Sequence, residues 1–364
     1  MNTELEYQIA LTFVPNVGTV IAKKLIEHFS NATNIFTADK RTLHEAGINN
    51  RIIESIKTFD DFSKVEKEIL FIERNSIQPI FITQKDYPQR LLNCFDPPIL
   101  LYYKGSANLN EAKIISIVGT RNNTLYGKKA AEEIIEKLSA QNILIVSGLA
   151  YGIDSIAHKA ALQNNLQTIG VLANGLQIIY PAQNKKLAED MIVQGGILSE
   201  LPHDTAPDKY NFPRRNRIVA GMADAVLVIE TSRKGGSLIT AQIASSYNRE
   251  IFAVPGRMDD EKSEGCNYLI QANIAQIFTD VEQFLFAMNW SKSTKKPKQQ
   301  MIAFADLSAE EQKVIDALKI DNTLHIDELQ SRCSLNSGEL ANAILSLELS
   351  GIIASLPGKM YQLL

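Results

Sequence analysis

The chain has 364 residues, enough for two or three domains of roughly 100–200 residues each, and its 45% hydrophobic content is typical of a globular protein. No apolar run approaches the ~20 residues of a membrane span, and the first residues lack the pattern of a signal peptide, so we expect a cytoplasmic protein that does not contact membranes. Cys94, Cys266 and Cys333 lie far apart in sequence, which favours neither a zinc site nor a disulfide framework. The net charge of −4 argues against a generally basic binder, but it leaves room for a local cationic groove.

Residues 1–75 form the first predicted domain, which we expect to be helical. Apolar residues recur at helical spacing in YQIALTFV, VIAKKLIEHF and RIIESIKTF. The turn between the first two segments, residues 15–18, resembles that of a helix-hairpin-helix motif, whose backbone N–H groups can bind a DNA phosphate. Asn16 stands where the usual motif has glycine. A plain helical packing domain is therefore the favoured interpretation, and a DNA-contacting turn is the alternative.

Residues 76–290 form the second predicted domain, which begins with a proline-punctuated connector over 76–110. Prolines favour extended structure over helix in this connector. Five short apolar runs follow it, and their nearly continuous apolar character is typical of strands covered on both faces. Because these strands alternate with helical segments, we predict an α/β domain with a doubly wound, Rossmann-like parallel sheet. The predicted strands are 114–118, 143–147, 168–172, 225–229 and 251–254.

Residues 291–306 are a predicted flexible linker, since SKSTKKPKQQ is polar and rich in lysine. Residues 307–364 form the third predicted domain. Ser308 and Glu311 form a capping box before its first helix, two more helices fit HIDELQSRC and SGELANAILSLELSG, and the last residues fit two strands around Pro357-Gly358. We therefore predict a winged-helix-like domain. Its third helix has no Lys or Arg, so we expect a protein-contact or regulatory role rather than sequence-specific binding of duplex DNA.

The predicted sheet also indicates where a ligand would bind, because ligands of open α/β sheets lie beyond the carboxyl ends of the strands. Residues 119–121, Gly-Thr-Arg, follow the first strand, and an arginine beside a helix start is a natural anion site. Residues 147–152 contain two glycines, which let the backbone approach a ligand closely. We interpret Asp154 as a helix cap and His158 as a structural histidine, with an acid–base pair as the alternative.

The longest predicted turn, residues 208–217, concentrates cations and aromatic rings. Its lysine and three arginines can bind phosphates, and Tyr210 and Phe212 can stack on unpaired bases at ~1–3 kcal/mol per base, although at least one arginine is expected to pair with a carboxylate. Residues 235–237, Gly-Gly-Ser, form a phosphate cradle in principle, but they lack the spacing of a Walker A loop. No residue cluster indicates a catalytic or metal site. The residues alone therefore leave open a nucleotide enzyme or a single-strand binder.

Seven ordered motifs between about residues 100 and 275 resemble the DprA/Smf family. They are SIVGTRNNTLYG, SGLAYGIDSIAHKAAL, VLANGLQIIYPAQN, SELP, FPRRNRIVAG, GGSLITAQIA and VPGR. The flanking helical and winged-helix-like blocks also match a common layout of that family. The resemblance implies a homodimer, without catalytic activity or cofactor, that binds and protects single-stranded DNA during natural transformation and loads the RecA recombinase onto it.

The resemblance also implies which residues contact the DNA strand. The arginine of the family's Gly-Ser/Thr-Arg motif corresponds to Arg121, and a lysine and phenylalanine three residues apart correspond to Lys209 and Phe212. The family usually has Ser-Gly-Ser at its glycine turn; Gly235 replaces the first serine here, which should still permit backbone contact. The arginine-rich segment and this turn add Arg214, Arg217, Gly236 and Ser237.

Two other functions compete with DNA binding. The first is a nucleotide-processing enzyme of the phosphoribohydrolase-like Rossmann class, in which Glu200 or Glu230 would serve as the catalytic carboxylate. The PGGxGT-type signature of such enzymes is not present in full, which disfavours this hypothesis. The second is an interaction scaffold whose loops are purely structural.

Overall fold

The computed structural model describes residues 3–291, 307–350, 352–356 and 359–363. The chain divides into two compact units, Met1–Ser291 and Lys292–Leu364. Nearly all of the predicted linker, residues 292–306, and the predicted turn at Pro357-Gly358 lie outside the described residues.

The first unit begins with short helices, as predicted, and the structure has six of them. Polar residues start five of them: the side chains of Thr3, Asn31, Asp39, Asn49 and Asp61 each accept a hydrogen bond from a backbone N–H of the first helical turn. Their apolar faces join the same hydrophobic core as one face of the sheet. The helices are α1 (Glu4–Phe13), α2 (Thr19–Phe29), α3 (Ala32–Thr37), α4 (Lys40–Glu45), α5 (Asn50–Lys57) and α6 (Phe62–Arg74).

The turn between α1 and α2 accommodates asparagine in place of glycine. Asn16 has a φ of +66°, in the left-handed region that favours glycine and that asparagine tolerates better than most residues. Its side-chain amide donates a hydrogen bond of 3.2 Å to the Ser55 hydroxyl. The backbone form of the turn therefore does not require glycine, and a contact of this turn with DNA stays a prediction.

A nine-stranded sheet forms the centre of the first unit. Its strands are β1 (Gln78–Phe81), β2 (Leu100–Gly105), β3 (Ile114–Gly119), β4 (Leu144–Ser147), β5 (Thr168–Val171), β6 (Gly196–Ser199), β7 (Ala225–Ile229), β8 (Glu250–Ala253) and β9 (Gln276–Ile277). They lie in the order β1-β2-β6-β5-β4-β3-β7-β8-β9. Neighbours from β6 to β9 are parallel, whereas β1 and β2 from the connector add an antiparallel edge. The chain order reverses between β3 and β7, which is the switch point of a doubly wound fold.

Helices cover both faces of this sheet, which confirms the predicted α/β fold. In β3, Ile115 and Ile117 enter one core, whereas Ile114 and Val118 enter the other, so the strand is apolar at nearly every position. Within the described residues, no helix is long and apolar enough to cross a membrane. The remaining helices of this unit are α7 (Gln89–Leu92), α8 (Leu125–Leu138), α9 (Ile153–Gln163), α10 (Lys185–Gln194), α11 (Asn211–Met222), α12 (Gly236–Ser246), α13 (Glu264–Gln271) and α14 (Val281–Ala287).

The second unit is the winged helix predicted from its three helices. The capping box is present: the Ser308 hydroxyl accepts from the Glu311 N–H at 3.2 Å, and the Ser308 N–H donates to the Glu311 carboxylate at 2.7 Å. The elements are α15 (Ala309–Ile320), β10 (Thr323–His325), α16 (Ile326–Cys333), α17 (Ser337–Leu349), β11 (Ile353–Leu356) and β12 (Met360–Leu363). β10, which the sequence did not predict, extends the hairpin to a sheet in the order β10-β12-β11.

The predicted role of Asp154 as a helix cap is wrong. The residue that caps α9 is Gly152, and Asp154 lies in the first turn of the helix. Its carboxylate accepts hydrogen bonds from the N–H groups of Gly148 at 3.2 Å and Ala150 at 3.4 Å. The loop after β4 folds back over the start of the helix, so the carboxylate holds this loop rather than the helix end. Among the described contacts, Asp154 makes none with His158.

His158 is instead a buried, neutral residue. The Thr168 hydroxyl donates to the Ile145 carbonyl at 3.1 Å, so it must accept the hydrogen bond from Nδ1 of His158, 2.7 Å away. Nε2 is buried without a partner among the described residues. Burial, assisted by the charge of Arg215, lowers the pKa of His158 to about 3. This confirms the interpretation of His158 as a structural histidine.

We expect the protein to lose stability as the pH falls below about 6.5. The pKa of His158 is about 3 in the folded protein against an ordinary 6.5, so between these values the unfolded chain binds a proton that the folded chain does not. This residue alone removes up to ~1.4 kcal/mol of unfolding free energy per pH unit. Urea unfolding at about pH 7, 6 and 5 measures the slope, and the non-titrating variant His158→Gln should show a shallower one. Equal slopes in both proteins would contradict this assignment.

Candidate nucleic-acid interface

The central cleft lies at the switch point of the sheet, beyond the carboxyl ends of β3 and β7. It has a volume of about 370 Å³, and its walls come from the turns after β3, β4 and β7 and from one face of α11. The end of β3 requires glycine at position 119, because a Cβ here would lie 2.0 Å from the Ile229 carbonyl oxygen of the neighbouring strand. Thr120 and Arg121 then follow along the wall of the cleft.

The start of α12 forms one wall of the cleft. Gly235 is its N-cap and provides no side-chain cap, so the first N–H groups of the helix are not satisfied by a capping side chain. Ser237 is 7% exposed, and its hydroxyl is buried without a partner among the described residues. Both residues and Gly236 line the cleft. N–H groups that no side chain caps, a hydroxyl and the positive end of the helix dipole together suit an anion such as a phosphate.

The mouth of the cleft is defined by Arg121, Tyr180, Lys209 and Phe212, which line one hollow of about 500 Å³. The Arg121 guanidinium lies over the Phe212 ring, 5.0 Å from its centroid, and the Tyr180 ring packs at 5.9 Å from the same ring. Lys209 lies 5.0 Å from the neighbouring Tyr210 ring. Neither Arg121 nor Lys209 has a carboxylate partner among the described residues. Two unpaired cations therefore stand beside partly exposed aromatic rings.

Arg215 forms the floor beneath this mouth. It is 5% exposed, and its guanidinium donates to the carbonyls of Gly148 and Val171 at the ends of β4 and β5. Burial lowers its pKa to about 10, opposed by the nearby Asp154, so the group stays charged at neutral pH. Burial in turn raises the pKa of Asp154, which the charge of Arg215 opposes. The floor thus carries a fixed positive charge.

Arg214 and Arg217 do not join the residues of the cleft. Arg214 is exposed and does not line it. Arg217 is buried at 7% exposure, donates to the Asp96 carbonyl at 2.6 Å, and forms an ion pair with Glu200. The expectation that at least one arginine of this segment pairs with a carboxylate is confirmed. The structure thus groups five of the seven predicted contact residues, namely Arg121, Lys209, Phe212, Gly236 and Ser237, around the cleft and its mouth.

The two acids proposed for an enzymatic function are both engaged in structural contacts. Glu200 holds Arg217, and Glu230 is 2% exposed and accepts hydrogen bonds from the N–H and hydroxyl of Thr124. The Thr124 contact fixes the loop that follows Arg121. In the described parts of the chain, no group of three or more His, Cys, Asp or Glu side chains could hold a metal ion.

Sequence reasoning missed two residues that shape the site, Tyr180 and Arg215. Tyr180 lies beyond the end of β5 and could have been found by extending the search to every turn at the carboxyl edge. The position of Arg215 had no such signal, because its sequence neighbours Arg214 and Arg217 have the same side-chain chemistry. Only the folded structure distinguishes the three.

Both units match known protein families. Residues 78–289 match the family described as DNA recombination-mediator protein A, and residues 301–359 match the DprA winged helix domain. Protein Smf from Synechocystis is 33% identical over 99% of this chain and 99% of its own length.

Solved structures support the same relationship. The X-ray structure of DNA processing protein A from Streptococcus pneumoniae has a TM-score of 0.66 and 34% identity, and the match covers 79% of this chain and 98% of that one. DNA processing protein A from Helicobacter pylori, whose structure was described for its single-stranded DNA binding mode, has a TM-score of 0.54 and 31% identity over 58% of this chain and 95% of that one. The resemblance of the seven motifs is confirmed, and the chain belongs to the DprA/Smf family, the DNA recombination-mediator protein A family.

Proposed function

We propose that this protein binds single-stranded DNA across the mouth and the central cleft. The observation that carries the proposal is the unpaired Arg121 lying over the ring of Phe212, beside the open start of α12. In this arrangement, phosphates contact Arg121, Lys209 and the helix start, while bases stack on the aromatic rings. A duplex would hide the faces of its bases, so the exposed rings favour an unpaired strand. The Helicobacter pylori relative, described as a single-stranded DNA binder, supports the same choice.

The proposal includes the wider role that the family resemblance implies. We infer that the protein acts as a homodimer without catalysis or cofactor, protects incoming strands during natural transformation and delivers them to RecA. The alternative of a nucleotide-processing enzyme is less favoured, because Glu200 and Glu230 are already held by Arg217 and Thr124.

We propose that the winged helix contacts protein rather than duplex DNA. Its α17 has no Lys or Arg but carries Glu339 and Glu348, which would repel phosphates. Leu345 and Leu349, one turn apart, are 56% and 81% exposed on the same helix. An exposed apolar pair with acidic neighbours suits a protein surface better than a phosphate backbone.

Removal of either cation at the mouth should weaken strand binding and its salt dependence together. Arg121→Ala and Lys209→Ala should each lower affinity about tenfold or more and reduce the slope of log affinity against log salt by about 0.7–1. Fluorescence anisotropy with labelled oligothymidylate at several salt concentrations measures both quantities. Lys159→Ala removes an exposed cation of α9 away from the cleft and serves as the control. Identical slopes for wild type and both mouth variants would refute the assignment.

Phe212→Ala should weaken binding by about tenfold while leaving the salt slope unchanged, because it removes stacking and no charge. Phe212→Tyr should restore most of the affinity, since the ring remains. Phe286→Ala removes a ring that is 79% exposed on α14 and should have no effect. The same anisotropy series distinguishes the three variants. A binding loss in Phe212→Tyr as large as in Phe212→Ala would argue against stacking.

Arg217 should act as a structural residue rather than a DNA contact. Arg217→Ala leaves the buried Glu200 without its partner, and the unfolding free energy should fall by ~3–5 kcal/mol. Arg214→Ala, at the neighbouring exposed position, should change it by less than ~0.5 kcal/mol. Urea unfolding of both variants measures the difference. Full stability of Arg217→Ala combined with weakened DNA binding would instead make Arg217 a contact residue.

A further inference from the structure

A second groove lies on the β8 side of the switch point. The start of α8, with Thr124, Leu125 and Tyr126, forms one wall, and the loop after β8 forms the other, with a volume of about 900 Å³ between them. We call this the distal groove. None of the residues assigned to DNA binding above lines it.

Hydrogen bonds hold both walls of the distal groove in place. Thr124 is bound to the buried Glu230 at the end of β7. The Tyr126 hydroxyl donates to the Pro255 carbonyl at 2.8 Å, which links the two walls. Asn267 of α13 accepts from the Gly256 N–H at 3.2 Å and donates to the Gly256 carbonyl at 3.1 Å. The groove is therefore a built feature, and the Tyr126 ring has a fixed position within it.

The rim of the distal groove exposes large apolar side chains. Leu125 and Tyr126, which line the groove, are 86% and 50% exposed. Met258 lies between the lining residues Arg257 and Asp259 of the facing loop and is 96% exposed. Two exposed apolar residues on one wall, with a third in the facing loop, indicate a surface that a ligand covers.

The charges on the rim indicate the kind of ligand. Arg257 is exposed and has no carboxylate partner among the described residues. The Asp260 carboxylate is occupied by the Ser263 hydroxyl and the Lys262 N–H, both at 3.0 Å. Asp259 is exposed on the same rim, so a ligand here gains most from apolar and aromatic contact and less from charge. Unlike α17, this rim carries a cation, so a nucleotide can place its base on Tyr126 and its phosphate on Arg257.

The distal groove also continues the path from the mouth of the cleft. Thr124 is three residues from Arg121 in the same loop, so their Cα atoms lie within ~11 Å of each other. In doubly wound folds, extended nucleotide ligands lie across the switch point and contact both halves of the sheet. The central cleft lies between the ends of β3 and β7, and the distal groove lies farther along this edge of the sheet, beside the loop after β8.

We propose that the distal groove is a second nucleotide-binding subsite, which takes a base of the same single strand on Tyr126, Leu125 and Met258 and a phosphate on Arg257. The inference rests on the proposed function, because the strand must first bind at the mouth. It extends the DNA footprint beyond the residues assigned above, and it predicts that only oligonucleotides long enough to reach both sites gain from the groove.

The test compares oligothymidylates of about 4 to 16 nucleotides, a range that spans the single-strand site sizes known for OB-fold domains. Tyr126→Ala, Met258→Ala and Arg257→Ala should each lower the affinity for long oligonucleotides by about three- to tenfold. The affinity for the shortest oligonucleotide that binds should not change. Tyr126→Phe keeps the ring but loses the hydrogen bond to Pro255, so it should retain most of the affinity for long oligonucleotides. Met258→Ala changes a residue with almost no packing, so misfolding cannot explain its effect. Phe212→Ala should lower the affinity for oligonucleotides of every length.

A photocrosslinking series adds a direct readout. Long oligonucleotides with 5-iodouracil at successive positions should crosslink to the peptides that contain Tyr126 or Met258 at one end of the strand only. Long oligonucleotides that bind all three groove variants as tightly as wild type, without these crosslinks, would overturn the inference and favour a protein partner for the groove. In that case Phe212→Ala would still weaken binding, and the proposed function would stand. If the wild type bound no oligonucleotide of any length, both proposals would fail.

Discussion

The reversal of chain order between β3 and β7 is the constraint on which the rest of the structure depends. The connections that follow these two parallel strands run to opposite faces of the sheet. They do not cover the carboxyl ends of the strands, so a crevice remains between them. Gly119 and the Glu230–Thr124 contact shape the two sides of that crevice. The start of α12 closes it with N–H groups that no side chain caps. A protein with a net charge of −4 can therefore present a local site for anions.

A set of buried contacts keeps the segment that carries Lys209 and Phe212 at this crevice. Arg217 ties α11 to the connector through Asp96 and to the end of β6 through Glu200. The same segment is held at its start by the N-terminal helices: Glu68 of α6, which is 1% exposed, accepts from the N–H of His203 at 3.0 Å and lies 2.6 Å from its ring Nδ1. The helical block thus has a structural link to the candidate site, whether or not its own turn contacts DNA.

One helix, α11, contains three arginines with three different environments. Arg214 is exposed, Arg215 lies under the mouth of the cleft, and Arg217 is paired in the interior. A buried, paired arginine fixes the position of the helix, whereas an arginine without a partner, such as Arg121, remains available for a ligand. Burial and pairing, not residue type, therefore distinguish the arginines that position the helix from the arginine proposed to contact the ligand.

The sequence by itself determined the fold class, the strands β3, β4, β5, β7 and β8 to within one residue at either end, the winged helix and the membership of the family. These features depend on local patterns, namely continuous apolar runs, capping residues and ordered motifs. Such patterns can be recognised without knowledge of distant contacts. Only the tertiary structure decided that Asp154 holds a loop, that Tyr180 packs on Phe212, and that Arg217 turns inward. The partners of Tyr180 and Arg217 are far away in sequence: Asp96 is 121 residues from Arg217. Asp154 contacts nearby residues, but only the folded loop shows which N–H groups its carboxylate accepts from. Side chains of one chemical type on a single helix are distinguished by such long-range packing, and no local pattern contains it.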